Sequence, residues 1–89
     1  MRAVITVVGR DKVGIISEVS RVLAENRVNI LDISQTIMQD MFTMIMLVDV
    51  SESKVAFSAL SDTLSGLGDT LGLSIRIQHE DIFRSMHRV

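Results

Sequence analysis

Two histidines are the first candidates for chemistry. His79 and His87 stand eight residues apart, with Glu80 and Asp81 beside the first. A metal site can be drawn from these four, but the close, fixed ligand spacing of such sites is missing. Cysteine is absent, so no thiolate can join them and no cysteine nucleophile exists. Serine and threonine are abundant, yet no Gly-x-Ser-x-Gly elbow holds one of them. Gly66-Leu67-Gly68 is not continued into a dinucleotide fingerprint. Met38, Met41, Met44 and Met46 suggest a soft-metal or adaptable surface, but filling a core is the commoner use of that side chain. The densest set of charges is Arg10-Asp11-Lys12, between Gly9 and Gly14. Its two cations are candidate anion contacts or simply a solvated turn. No paired carboxylates and no nucleophile with its base are present, so the expectation is a protein with no catalytic residues, metal or cofactor.

The surrounding pattern says what positions that charged turn. Residues 3–8 are short and β-branched, which predicts a strand. Ile15, Ile16, Val19, Val22 and Leu23 then follow helical spacing, with Glu18, Arg21 and Glu25 opposite. Asn26 or Arg27 ends that helix. Val28 to Met38 and Phe42 to Val50 read as a hairpin closed at Gln39-Asp40-Met41. Ser51-Glu52-Ser53 carries a hydroxyl cap and a first-turn acid, predicting a second helix start. Phe57, Leu60, Leu64, Leu67 and Leu71 continue it through Gly66 and Gly68, and Gly72 stops it. Leu73, Ile75 and Ile77 alternate with polar residues as a fourth strand, and residues 81–86 suit a helical turn. The order βαββαβ, with right-handed crossovers, gives an α+β, ferredoxin-like sandwich: a four-stranded antiparallel sheet with both helices on one face.

Composition narrows the class. The 89 residues are 47% hydrophobic and 22% charged, without proline, which excludes a disordered chain. A net charge of -2 argues against a nucleic-acid partner. No apolar run approaches the ~20 residues of a membrane span, and the apolar start meets Gly9-Arg10-Asp11-Lys12 too early for a secretory signal. Lack of cysteine fits a cytoplasmic setting. One domain of this size buries only about 60–65% of its unfolded surface, and only three phenylalanines supply aromatic bulk. Strand parity puts Phe42, Met44, Met46, Val48 and Val50 under the helices with Ile5 and Val7. Val4, Thr6, Val8, Ile45 and Leu47 then fall on the open face, and the second strand adds Ile33 or Ile37 to one side, a bulge deciding which. Five aliphatics at ~1.5–3 kcal/mol each rival a whole domain's stability of ~5–15 kcal/mol. The open face, the strand edges or both are therefore expected to meet another subunit, in a homodimer or higher homo-oligomer.

The run Ile5-Thr6-Val7-Val8-Gly9-Arg10-Asp11-Lys12-Val13-Gly14-Ile15 resembles the first strand and turn of an ACT domain. Val28-Asn29-Ile30 is similar to the step that opens that family's second strand, and Phe42-Thr43-Met44 to the start of its third. The resemblance covers about residues 2–80 and implies one ACT-like domain over 1–89, with a short C-terminal extension at 81–89. It is similar to small stand-alone ACT proteins, a largely uncharacterised group, and to the ACT units of the glycine-cleavage-system repressor and of formyltetrahydrofolate deformylase. It implies a regulatory module that binds an amino acid between two domains and acts on a separate partner protein. The alternative is a ligand-free interaction subunit of a metabolic enzyme. Carried over by position, the ligand-binding residues are Gly9, Arg10, Asp11, Lys12, Val13, Gly14 and Asn29. The physical reading beside it is that amides of about Val13 to Ile16 favour a carboxylate, Asp11 pairs an ammonium, and Asn29 bridges. Structural roles compete: Asp11 as a helix cap, the glycines as backbone hinges, Asn29 as a turn residue, Asp32 as an edge charge. Serine-binding relatives have His where this chain has Gly9 and Asn where it has Asp11, and the usual proline is Val13, so serine is not carried over.

Overall fold

The computed structural model describes residues 1–86. His87, and with it half of the histidine pair, lies outside the described residues. The elements are β1 (Arg2–Arg10), α1 (Ile15–Glu25), β2 (Asn29–Met38), β3 (Met41–Asp49), α2 (Phe57–Leu71), β4 (Leu73–His79) and α3 (Glu80–Met86). The four strands form one antiparallel-paired sheet in the order β2-β3-β1-β4. This is the expected ferredoxin-like arrangement. No helix among the described residues is long and apolar enough to cross a membrane.

Alternation along each strand makes the core. Ala3, Ile5 and Val7 of β1 align with Val48, Met46 and Met44 of β3, and Ile75 and Ile77 of β4 join the same face. All are buried against Ile15, Val19 and Leu23 of α1 and Leu60 and Leu64 of α2. The outer side of α1 is closed by Arg21, held 3.1 Å from both Glu18 and Glu25. α2 approaches β4 closely because Gly68 has no side chain: a Cβ there would lie 2.6 Å from the carbonyl oxygen of Leu73. Gly72, at φ 73°, ends the helix in the left-handed conformation that glycine adopts without steric cost.

Two expectations need correction. α2 does not start at Ser51-Glu52-Ser53; it starts at Phe57, with Ala56 preceding it and no side-chain cap. The serines are used locally instead. Ser51 N–H donates to Asp49 Oδ1 at 2.9 Å, and Ser53 Oγ donates to the carbonyl of Val55 at 2.9 Å, so 51–56 is a turn stabilised by the short-range bonds these residues favour. Asp11 does not cap α1 either. Gly14 precedes that helix at φ 95°, and no side chain bonds its first-turn amides.

The open sheet face carries Val4, Val8, Ile45 and Leu47, as the parity predicts. α3 folds back against β1 and β4 there. Gln78 Nε2 donates to Met86 Sδ at 3.3 Å, and Val4, the cross-strand partner of Gln78, is buried. Arg2 fastens α3 through Glu80 at 2.7 Å, and within α3 Arg84 also pairs with Glu80 at 3.1 Å. The heavier exposure lies at the β2 edge. A bulge between Ile30 and Asp32 sets the parity, so that Ile33, Gln35 and Ile37 share the helix side with Met46, Met44 and Phe42. α1 does not reach over them, and every residue from 31 to 40 is exposed.

Candidate functional site

The end of β1, the turn after it and the start of α1 form one wall of a cleft; β2 forms the other. β1 runs through Gly9 to Arg10 rather than turning at Gly9. Gly9 is needed for contact across the sheet: a Cβ there would overlap the Leu73 side chain and lie 3.3 Å from its Cα. The turn is pinned on two sides. Asp11 N–H donates to the carbonyl of Asp40 at 2.8 Å, and Arg10 pairs with the Asp40 carboxylate at 3.4 Å in the open. Lys12 Nζ donates to the carbonyl of Leu71 in the last turn of α2, where a cation complements the helix dipole. Val13 projects fully into solvent.

The cleft has a volume of about 260 Å³. Asp11, Lys12 and Gly14 line one end, Ile16 and Ser17 one side, and Gln35 and Ile37 the other, over buried Phe42 and Ile15. The first-turn amides of α1 have no side-chain acceptor, so this end of the cleft offers donors to an anion. Asp11 supplies the carboxylate. Gln35 is absent from the sequence-based candidates. Its signal was there: it is the one polar side chain in the row Ile33, Gln35, Ile37.

Three of the seven candidates line the cleft, Asp11, Lys12 and Gly14; Gly9, Arg10 and Val13 adjoin it along the chain but do not line it. Asn29 does neither. It starts β2 opposite Asp49, at the level of Arg2, whereas Ile37 lies opposite Phe42, at the level of Gly9. Eight residues of strand at about 3.4 Å each separate Asn29 from Ile37, or about 27 Å. Asn29 lines a separate hollow of about 400 Å³ with Arg27 and Glu52. A third hollow of about 380 Å³ lies by Arg2, His79 and Glu80. There Glu80 is engaged by Arg2, whose hydrogen bonds hold its carboxyl below the usual range, and His79 stacks on Phe57 at 4.0 Å. No group of three or more metal-ligating side chains occurs among the described residues.

This βαββαβ fold, with its glycine-bounded charged turn leading into α1, is that of an ACT domain. The family model for the ACT domain matches residues 2–78, and the chain belongs to that family, whose domains are in general regulatory, ligand-binding modules. A UPF0237 protein of Clostridium acetobutylicum is 61% identical over 89 residues, covering 100% of both chains. An ACT domain protein from Streptococcus pneumoniae superposes with a TM-score of 0.81 at 46% identity, covering 93% of each chain. A protein described as a glycine cleavage system transcriptional repressor matches with a TM-score of 0.73 at 30% identity, over 86% of this chain and 44% of that one.

Proposed function

We propose that this protein is a cytoplasmic regulatory module that binds an amino acid as a homodimer and acts on a separate partner protein. The observation that carries the reading is the cleft beside α1. It joins a carboxylate, an ammonium and uncapped helix amides at one end, and it opens onto the unpaired edge of β2. A zwitterion suits those groups: its ammonium to Asp11, its carboxylate to the amides of α1.

Dimerisation accounts for Asn29. An exposed ten-residue edge strand without proline or lysine is a template for pairing. Antiparallel pairing of two β2 strands about a two-fold axis at the strand centre sets Asn29 of a second copy opposite Met38, beside Ile37 and the cleft mouth. The distance that divides the candidates within one chain is then what unites them across two. Arg10, Lys12 and Val13 act as the frame of the site, and Gly9 and Gly14 set its backbone.

The test is calorimetric titration and thermal shift with the proteinogenic amino acids, alongside the mass in solution. Binding of at least one amino acid to a dimer, lost in Asp11→Asn, is the expected result. A second reading, the ligand-free interaction subunit of a metabolic enzyme, is favoured by the internal partners of Arg10 and Lys12. No heat and no shift with any amino acid, together with a stoichiometric co-purifying enzyme, would establish that reading instead.

A further inference from the structure

The cleft separates its chemistries. Charged groups sit at the turn end, on Asp11 and Lys12, while the body of the cleft is mainly hydrocarbon, with Ser17 and Gln35 as its polar side chains. Phe42 and Ile15 are buried at its base, and Ile16 and Ile37 stand at its rim with 38% and 51% of their surface exposed. Gln35 is the only amide among them. We infer that the cleft selects an amino acid with an apolar side chain over a small polar one. The inference rests on the effector reading above and deepens it. With the α-ammonium and carboxylate held at the turn, the side chain of the ligand lies along Ile16 and Ile37 above Phe42. Glycine or serine in that position leaves the apolar rim wet, and the serine hydroxyl finds only the Ser17 hydroxyl and the Gln35 amide. A volume near 260 Å³ falls just under the range of about 300–1,000 Å³ for drug-sized ligands, which suits a single amino acid.

The magnitude follows from burial. Each methylene removed from water is worth about a fourfold gain in affinity, so leucine over alanine gains up to about sixtyfold at full burial. With a rim open on one side, at least about tenfold is expected.

The experiment is calorimetry on the full chain with glycine, alanine, serine, aspartate, valine, leucine, isoleucine, methionine and phenylalanine. Leucine or another apolar amino acid binds at least about tenfold tighter than alanine, and serine no tighter than alanine. Ile37→Thr, at an exposed edge position, cuts that ratio about fivefold or more and leaves alanine within about twofold. Gln35→Ala weakens serine more than it weakens alanine or leucine. Serine, glycine or aspartate matching leucine overturns the inference while leaving the effector reading intact. So does an unchanged leucine-to-alanine ratio in Ile37→Thr. Binding of no amino acid at all overturns the effector reading itself, and this inference with it.

Discussion

Gly66 and Gly68 lie two residues apart on α2, and alanine should have opposite effects at the two positions. At Gly66 a Cβ would have nothing within 4 Å. Alanine there gains only helix propensity, about 0.8–1 kcal/mol. At Gly68 a Cβ would lie 2.6 Å from the Leu73 carbonyl oxygen and 3.3 Å from the Ile75 nitrogen. Both are backbone atoms of β4, so no side chain can swing aside. The helix must lift from the strand, at the upper part of the about 1–3 kcal/mol that overpacking costs. Subtracting the same propensity gain leaves Gly68→Ala destabilised by about 1–2 kcal/mol. At about 4–8 °C per kcal/mol for a domain of this size, the midpoint rises by about 4–8 °C in Gly66→Ala. It falls by about 4–16 °C in Gly68→Ala. Thermal unfolding followed by circular dichroism reads both, at one protein concentration so that self-association contributes equally. A rise at both positions, or a Gly68→Ala variant as stable as the parent, would refute the account of how α2 meets β4.

Three further outcomes follow from the contacts. Lys12→Met leaves the Leu71 carbonyl without its cation; the loss is about 0.3–1 kcal/mol, with faster amide exchange confined to the last turn of α2. Ile33→Lys puts a charge on the β2 edge, and the mass in solution should drop to that of one chain with the circular dichroism unchanged. Glu80 is held ionised by Arg2, so its pKa is lowered from the ordinary 4.5. A lowered carboxylate stabilises fully above its unfolded value and loses that contribution as the pH falls through its folded value. The amide resonances of α3 should therefore shift on acidification below about pH 4.5, and Glu80→Gln should show the shifted positions at neutral pH.

The sheet was legible from the β-branched run of β1, the unbroken apolar parity Phe42, Met44, Met46 and Val48 in β3, and the clean alternation of β4, which put these residues on the buried face. The start of α1 at Ile15 was legible too, but the start of α2 was not. Ser51 and Ser53 carry the residue types of a cap, but the same hydroxyls bond equally well within a turn, and only the packing of Phe57 and Leu60 decides where α2 begins. Of the two roles the sequence offered Asp11, the cap fails for a related reason: Gly14 in the left-handed region redirects the chain between Asp11 and the helix. Gln35 was passed over because the parity of β2 hung on the bulge before Asp32. Asn29 was joined to the turn by resemblance, whereas the strand geometry puts the two at opposite ends.

That separation yields a thermodynamic test of the shared site. If the ligand touches Asp11 of one chain and Asn29 of another, binding and association are one linked equilibrium. The factor by which ligand tightens the dimer must then equal the factor by which dimerisation tightens the ligand. For a coupling of about 1–3 kcal/mol these are factors of about 5–150. The first is read from the dimer dissociation constant with and without saturating ligand. The second is read from ligand affinity in the parent dimer and in the Ile33→Lys monomer, whose cleft keeps Asp11, Gln35 and Ile37. Asn29→Ala should lower both factors together and leave the monomer's affinity unchanged, because within one chain Asn29 is about 20 Å along β2 from Gln35, the nearest cleft residue of that strand. A monomer that binds as tightly as the dimer would confine the site to a single chain and leave Asn29 without a part in it.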